Sequence, residues 1–353
     1  MKTTSLSLLF VMLLPWTSAC SSGQQGASTT PVTAVAGSEQ QAASTAEDEE
    51  PLASWNDTAS KRSIIQFVEE VSTADSRHFV PVEERIAVFD NDGTLWVEQP
   101  MYAQLRFAID RVKALASSHP EWKRTQPFKA ALEDDQKALA ASGHEGLFEL
   151  ISGTHAGMTT EQFHFIVEQW LSSAKHPRFD RPYDELTYAP MVELLAYLRA
   201  HGFKTFIVSG GGVDFMRVFT EEAYGIPPEQ VIGSAMVTEY QIQDGVPVIE
   251  REPEVLYIDD KELKPVLIER IIGRQPILAV GNSDGDLQML QWSTAGAGKR
   301  LGVLVHHTDP EREYGYDRES PVGKLDQALE LAPEMGWIVV DMKSDWERVF
   351  TFD

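Results

Sequence analysis

Ile86-Ala87-Val88-Phe89-Asp90-Asn91-Asp92-Gly93-Thr94-Leu95 is the stretch on which the fold turns. Four apolar residues in a row, closed by Asp and Gly, read as a strand buried on both faces, the habit of a parallel sheet. Three further runs of this kind follow: Thr205-Phe206-Ile207-Val208, Ile277-Leu278-Ala279-Val280 and Leu301-Gly302-Val303-Leu304-Val305. Before the second run, Met191, Leu194, Leu195 and Leu198 fall on one helical face, with Pro190 at the start and Gly202 past the end. Strands alternating with amphipathic helices predict an α/β fold with a doubly wound parallel sheet, whose ligands bind beyond the carboxyl ends of the strands.

Outward from these strands the pattern changes. Ile64, Phe67, Val68 and Val71 predict an amphipathic helix within Trp55 to Val71, ahead of the first strand. Residues 97–188 are largely helical with no buried-strand pattern, and Thr159-Thr160-Glu161-Gln162 reads as a capping box. This stretch is expected to be a helical cap inserted after the first core strand. The core itself is then 55–96 together with 189–353. Partial alternation between Val231 and Glu250, on either side of Gln243-Asp244-Gly245, predicts a hairpin.

The residues just past the strands carry the chemistry. After the first come Asp90 and Asp92, on a loop that Gly93 allows to turn sharply, so both can face one metal and one substrate. After the second come Ser209, Gly210, Gly211 and Gly212, a hydroxyl with open backbone amides at an expected helix start, where anions bind. After the third, Gly281-Asn282-Ser283-Asp284-Gly285-Asp286 is a turn rich in oxygen ligands. Carboxylates, an anion cradle and hard-cation ligands at one sheet edge suit phosphoryl chemistry, because Mg2+ prefers oxygen and bridges carboxylates to a phosphate. Asp90 can attack phosphorus, and Asp92 can protonate the leaving alcohol and then activate water.

Asp90-Asn91-Asp92-Gly93-Thr94-Leu95 resembles the first motif of the haloacid dehalogenase superfamily of phosphohydrolases. Ser209-Gly210-Gly211 and the Gly281 to Asp286 turn are similar to its second and fourth motifs, in order and each after a strand. The resemblance implies a Rossmann-like core and a third-motif lysine that binds the phosphoryl group, for which Lys264 fits better than Lys261. It also implies Mg2+ among Asp90, the Asp92 backbone carbonyl, Asn282 and Asp286. Asp92 points to phosphate esters, since dehalogenases of this group lack the second aspartate. A helical cap between the first two motifs is similar to the phosphoserine phosphatase branch. The departure is Asn282, where the family commonly has an aspartate; the amide removes one negative charge from the metal site.

Weaker candidates surround these. Trp96, Glu98 and Tyr102 follow the first motif, where family members close over the substrate, and Glu98 reads either as a partner for a cationic group or as an ion-paired acid of the cap. His306 and His307 end the fourth strand, either touching substrate or capping the strand. His155 reads as a structural histidine rather than one facing the site, Arg217 as a surface charge rather than a partner for a phosphate or carboxylate, and the C-terminal aromatics Trp337, Trp346, Phe350 and Phe352 as packing for the last strand and helix.

The ends of the chain bear on location. Lys2, the apolar run Leu6 to Leu14 and Thr17-Ser18-Ala19 precede Cys20, the only cysteine among 353 residues, which excludes an internal disulfide or a CxxC site. Residues 1–19 are expected to be a signal peptide and residues 20–54 a flexible tether. The pattern resembles a bacterial lipoprotein signal, implying a lipid on Cys20 as the one membrane contact, in the cell envelope on the periplasmic face, with Ser21 favouring the outer membrane. A formal charge of −24 argues against nucleic acid as a partner. The expected function is Mg2+-dependent hydrolysis of a small phosphorylated molecule through an aspartyl-phosphate. The alternatives are phosphotransfer through the same intermediate and a non-catalytic lipoprotein binding a phosphorylated ligand.

Overall fold

The computed structural model describes residues 51–353; the expected signal peptide, Cys20 and nearly all of the tether lie outside the described residues. Among the described residues the strands are β1 (Ile86–Phe89), β2 (Met158–Thr159), β3 (Lys204–Gly212), β4 (Val231–Gln243), β5 (Val246–Tyr257), β6 (Leu278–Gly281), β7 (Leu301–Thr308), β8 (Gly315–Tyr316) and β9 (Ile338–Asp341). Parallel pairing joins β4, β3, β1, β6, β7 and β9 in that order, while β5, β2 and β8 add antiparallel edges. The sheet is therefore mixed and mostly parallel: the buried runs predicted its parallel core, and the antiparallel edges are added to it.

The apolar runs are continuous because both faces of the sheet are covered. Ala87, Phe89, Ile207, Leu278 and Val303 point to one face, against α1 (Ala59–Ser72) and, later in the chain, Met191, Leu194 and Leu198 of another helix. Ile86, Val88, Phe206, Val208 and Ala279 point to the other, against Leu267, Ile268, Met289 and Leu290. With period-two side chains both faces are buried and apolar residues fill nearly every position, Thr205 beside Ala87 being a buried exception.

Between β1 and β3 the chain forms α2 (Ala103–Leu115), α3 (Phe128–Leu132), α4 (Gln136–Ala141), α5 (Gly143–His155) and α6 (Thr160–Leu171). Their own small core gathers Ala108, Ile109, Val112, Trp122, Ala131 and Leu150. The capping box forms as expected: the Gln162 amide N–H donates to Thr159 Oγ1 at 3.1 Å, and the Thr159 N–H donates to Gln162 Oε1 at 3.0 Å. The remaining helices are α7 (Ala189–Ala200), α8 (Val213–Met216), α9 (Thr220–Tyr224), α10 (Leu263–Ile272), α11 (Leu287–Thr294), α12 (Gln327–Met335) and α13 (Met342–Asp345).

The hairpin expected around Asp244-Gly245 is present, but it is longer and its first strand has two roles. Val231, Ile232 and Gly233 pair in parallel with Ile207, Val208 and Ser209, and only beyond them does β4 turn out as an antiparallel arm with β5. Among the described residues no helix is long and apolar enough to cross a membrane.

Candidate active site

Asp90 is the first residue past β1, and its backbone N–H still bonds to Val280 O at 2.9 Å, so the strand's register fixes its position. The chain then wraps around the Asn91 carbonyl, which accepts from the N–H groups of Thr94 and Leu95. Gly93, at φ +73°, makes the turn; a Cβ there would lie 2.1 Å from Asn282 Nδ2 and 2.3 Å from Glu98 Oε1. No side chain fits.

Lys264 lies in the first turn of α10, wholly buried, with Nζ 2.6 Å from Asp286 Oδ1 and 3.1 Å from Asp90 Oδ1. Lys261, three residues earlier, is exposed. Burial alone would lower the Lys264 pKa, but the Asp286, Asp90 and Asp259 carboxylates outweigh it and hold the ammonium charged. For Asp90, burial and the nearby Asp286 charge push the carboxyl upward against the pull of Lys264. Asp92 is pushed up to about 6 by burial, with the Trp96 hydrogen bond and Lys264 opposing. Trp96 Nε1 donates to Asp92 Oδ1 at 2.9 Å while its ring stacks on Phe219, so Trp96 holds the second aspartate rather than covering a substrate.

The fourth-motif turn comes close to the nucleophile loop. Asp286 Oδ2 accepts from the N–H groups of Asn282 and Ser283 and from Ser283 Oγ, and its Oδ1 faces Lys264. Both oxygens are thus spent on the turn and the lysine, and Gly281 is needed because a Cβ would sit 2.4 Å from Asp286 Cγ. Asp284, whose role the sequence left open, accepts from the N–H groups of Asp326 and Ala328 and so caps α12. Asn282 Oδ1 accepts from Thr94 Oγ1 at 3.0 Å, and Nδ2 donates to Glu98 Oε1 at 2.7 Å.

Glu98 lies on the loop before α2, buried, and its Oε1 also accepts from Tyr316 Oη at 2.7 Å. Burial pushes its pKa well above the usual range; Tyr316 opposes this, and the Asp92 and Asp90 charges add to it. Ser209 is buried with Oγ accepting from the Gly211 N–H at 3.2 Å. Its loop differs from expectation: β3 runs on through Gly212, whose N–H goes to Gln104 Oε1, and α8 is only four residues long. Asp90, Asp92, Glu98, Tyr102, Ser209, Gly210, Lys264 and Ser283 line one cavity of about 240 Å³.

The weaker candidates fall into different places. His307 is buried, with Nε2 2.8 Å from Gly93 O and Nδ1 3.2 Å from Glu313 Oε2. His306 instead turns to Asp317 near the surface. His155 is fully buried against Phe107 and Phe163, held well below its ordinary pKa by burial and by Arg251, and does not line the cavity. Arg217 donates to Pro228 O, and Trp337, Trp346 and Phe350 pack in the core. Glu313 and Tyr316 gave no local signal, because they reach the site only through the loop after β7.

A divalent cation fits these residues, though not as a cluster of acids. Among the described residues no three His, Cys, Asp or Glu side chains gather to hold a metal. The donors beside the nucleophile are all oxygens, however, and one ammonium faces the buried Asp90 and Asp286 while Asp92 and Glu98 stand beside them. Asp90 Oδ1 is buried without an aligned hydrogen bond. Mg2+ characteristically takes one or two carboxylates and keeps waters or substrate oxygens for the rest, which is what this site offers.

Such a sheet, with an aspartate pair after its central strand and a buried lysine against the first of them, defines an α/β protein with its candidate site beyond the carboxyl ends of the parallel strands. A family model for haloacid dehalogenase-like hydrolases matches residues 87–291, and the chain belongs to that family. Among solved structures it is similar to a functionally unknown protein from Anaerococcus prevotii, with 16% identity over 70% of this chain and 85% of that one and a TM-score of 0.48. It is also similar to a probable phosphoserine phosphatase from Vibrio cholerae, with 19% identity over 65% of this chain and 58% of that one and a TM-score of 0.34. No curated protein matches the chain.

Proposed function

We propose that this chain hydrolyses phosphate monoesters through an aspartyl-phosphate on Asp90. The observation that carries the reading is the Asp90 carboxylate, set 3.1 Å from the buried Lys264 ammonium, with Asp92 and Ser209 lining the same cavity. A carboxylate oxygen of Asp90 attacks phosphorus, the bond from phosphorus to the ester oxygen breaks, and Asp92 gives its proton to that departing oxygen. Water then attacks the aspartyl-phosphate, Asp92 takes a proton from it, and Asp90 and inorganic phosphate are released. Lys264, the Ser209 hydroxyl and the Gly210 backbone hold the phosphoryl oxygens, and Asp286 holds Lys264.

Asp90, the main-chain carbonyl of Asp92 and Asn282 would hold Mg2+, which when bound supplies charge neutralisation of the phosphoryl oxygens. The lipoprotein-like start at Cys20 supports a reaction at the cell envelope, outside the cytoplasm. The test is p-nitrophenyl phosphate with Mg2+, comparing wild type with Asp90→Asn. Release of nitrophenol falling by several orders of magnitude in the variant is expected; equal activity in the two would remove Asp90 as nucleophile.

A further inference from the structure

The cavity has two unlike ends. The phosphoryl end is formed by Asp90, Asp92, Ser209 and Lys264 at the strand ends. The other end is walled by Leu105 of α2, Leu147 and Ile151 of α5, Phe163 of α6, Met236 of β4 and Val255 of β5. These come from the inserted helices and the hairpin arm, elements outside the parallel core, so the wall is separate in origin from the reacting groups.

Charge at the apolar end is already consumed. Among the described residues Arg251 is the only cation lining the cavity besides Lys264. It is buried and ion-paired with Asp214, donates from Nε to His155 O at 2.8 Å, directs Nη2 to Met236 Sδ at 3.1 Å, and lies 4.1 Å from the Phe163 ring centroid. Its fork is thus a strut joining α5, α8 and β4. Three of its five N–H groups are committed and its charge is balanced by Asp214, so a substrate carboxylate would meet a neutralised pair and not a free cation, and burying an unpaired charge there would be costly. Asp214, for its part, is neutralised by the same arginine.

We infer that the leaving group of the substrate is an uncharged aryl or short alkyl chain, seated against Ile151, Phe163 and Met236, and not an amino acid or sugar-acid moiety. This rests on the phosphohydrolase reading for the phosphate end only. At about 240 Å³ the cavity is smaller than the ~300–1,000 Å³ usual for small-molecule sites, so the chain is compact. Each methylene moved from water into the apolar end should tighten binding a few-fold.

The experiment uses the full chain with Mg2+ and n-alkylphosphonates from methyl to hexyl, in which a P–C bond replaces the scissile P–O bond, with binding measured by calorimetry. Kd is expected to fall a few-fold per methylene and to rise when the chain end carries a carboxylate or an ammonium. Ile151→Asn and Leu147→Asn should each flatten that gradient, and melting curves report whether either variant is folded. A Kd independent of chain length, or a charged chain end binding as well as the plain one, would overturn the inference. In parallel, turnover of hexyl phosphate and O-phosphoserine separates the two readings. Hydrolysis with a flat phosphonate gradient sinks the apolar subsite alone, and a steep gradient without hydrolysis sinks the catalytic reading alone.

Discussion

His307, next to the last residue of β7, sets its Nε2 2.8 Å from the main-chain oxygen of Gly93, so one core strand braces the loop that carries the aspartates of another. Its other nitrogen faces Glu313, and its ring stacks on Tyr316, the residue that also bonds Glu98. His307 touches no reacting atom; it acts through Gly93. Replacing it with Ala should lower kcat roughly 10–100-fold, as loss of a supporting hydrogen bond beside a catalytic centre does, with KM moving less. His307→Gln, whose amide can still donate to the carbonyl, should recover part of the loss. Steady-state kinetics with p-nitrophenyl phosphate decide it, and an unaltered kcat in the Ala variant would show that Gly93 needs no brace.

The contrast between what was legible in the sequence and what was not follows from this contact. β1 could be read residue for residue because Ile86 to Phe89 is buried on both faces, a local consequence of a covered sheet. The start of β4 could not, since Val231-Ile232-Gly233 is core strand only for the few residues that pair with β3 before the same strand turns out into the antiparallel arm. Residue identity brought Asp90, Asp92, Ser209, Lys264 and Asn282 to one place on paper, but side-chain direction was hidden. Asp286 turns to Lys264 and its own turn, and Trp96 turns to Asp92. Short motifs encode which groups are present; the neighbours that aim them come from elsewhere in the chain.

Lys264 holds two buried carboxylates apart, Asp90 at 3.1 Å and Asp286 at 2.6 Å. Lys264→Met should abolish turnover and also destabilise the fold by about 3–5 kcal/mol, because breaking a buried ion pair strands its partners. Adding Asp286→Asn removes one stranded charge and should restore much of the melting temperature without restoring activity. Thermal unfolding and turnover on the same three proteins test this. A single variant that melts like wild type would mean the carboxylates do not depend on the lysine.

Asp259 is fully buried and neither carboxylate oxygen accepts a hydrogen bond among the described residues. Burial pushes it up to about 7, against the attraction of Lys264 and with the Asp260 and Asp286 charges adding. The folded chain therefore keeps a proton that the unfolded chain releases near pH 4, so stability falls as pH rises from about 4 to about 7 and is level above. The loss from this one group is of order 4 kcal/mol at most. Asn imitates the protonated acid, so Asp259→Asn should melt increasingly above wild type between pH 5 and pH 8. Parallel melting curves for the two proteins over that range would exclude the effect.

Asn282 and Glu98 are matched to each other: Nδ2 donates to Oε1 at 2.7 Å, and the lack of a Cβ at Gly93 makes the room that both side chains occupy. If the site takes Mg2+, chelation should remove activity and added Mg2+ should return it. Asn282→Asp adds the carboxylate that would bind the cation more tightly, but it also sets two buried acids face to face where a donor stood before. The single variant should therefore gain little in Mg2+ affinity and should lose stability. Pairing it with Glu98→Gln restores a donor to that contact, and the double variant should bind Mg2+ roughly tenfold more tightly than wild type, as expected when ligand charge rises in a site that is otherwise kept intact. Half-saturating Mg2+ can be read both from turnover and from protection against thermal unfolding, so the outcome does not hang on activity alone. Equal Mg2+ affinity in wild type and the double variant would mean that position 282 lies outside the metal site.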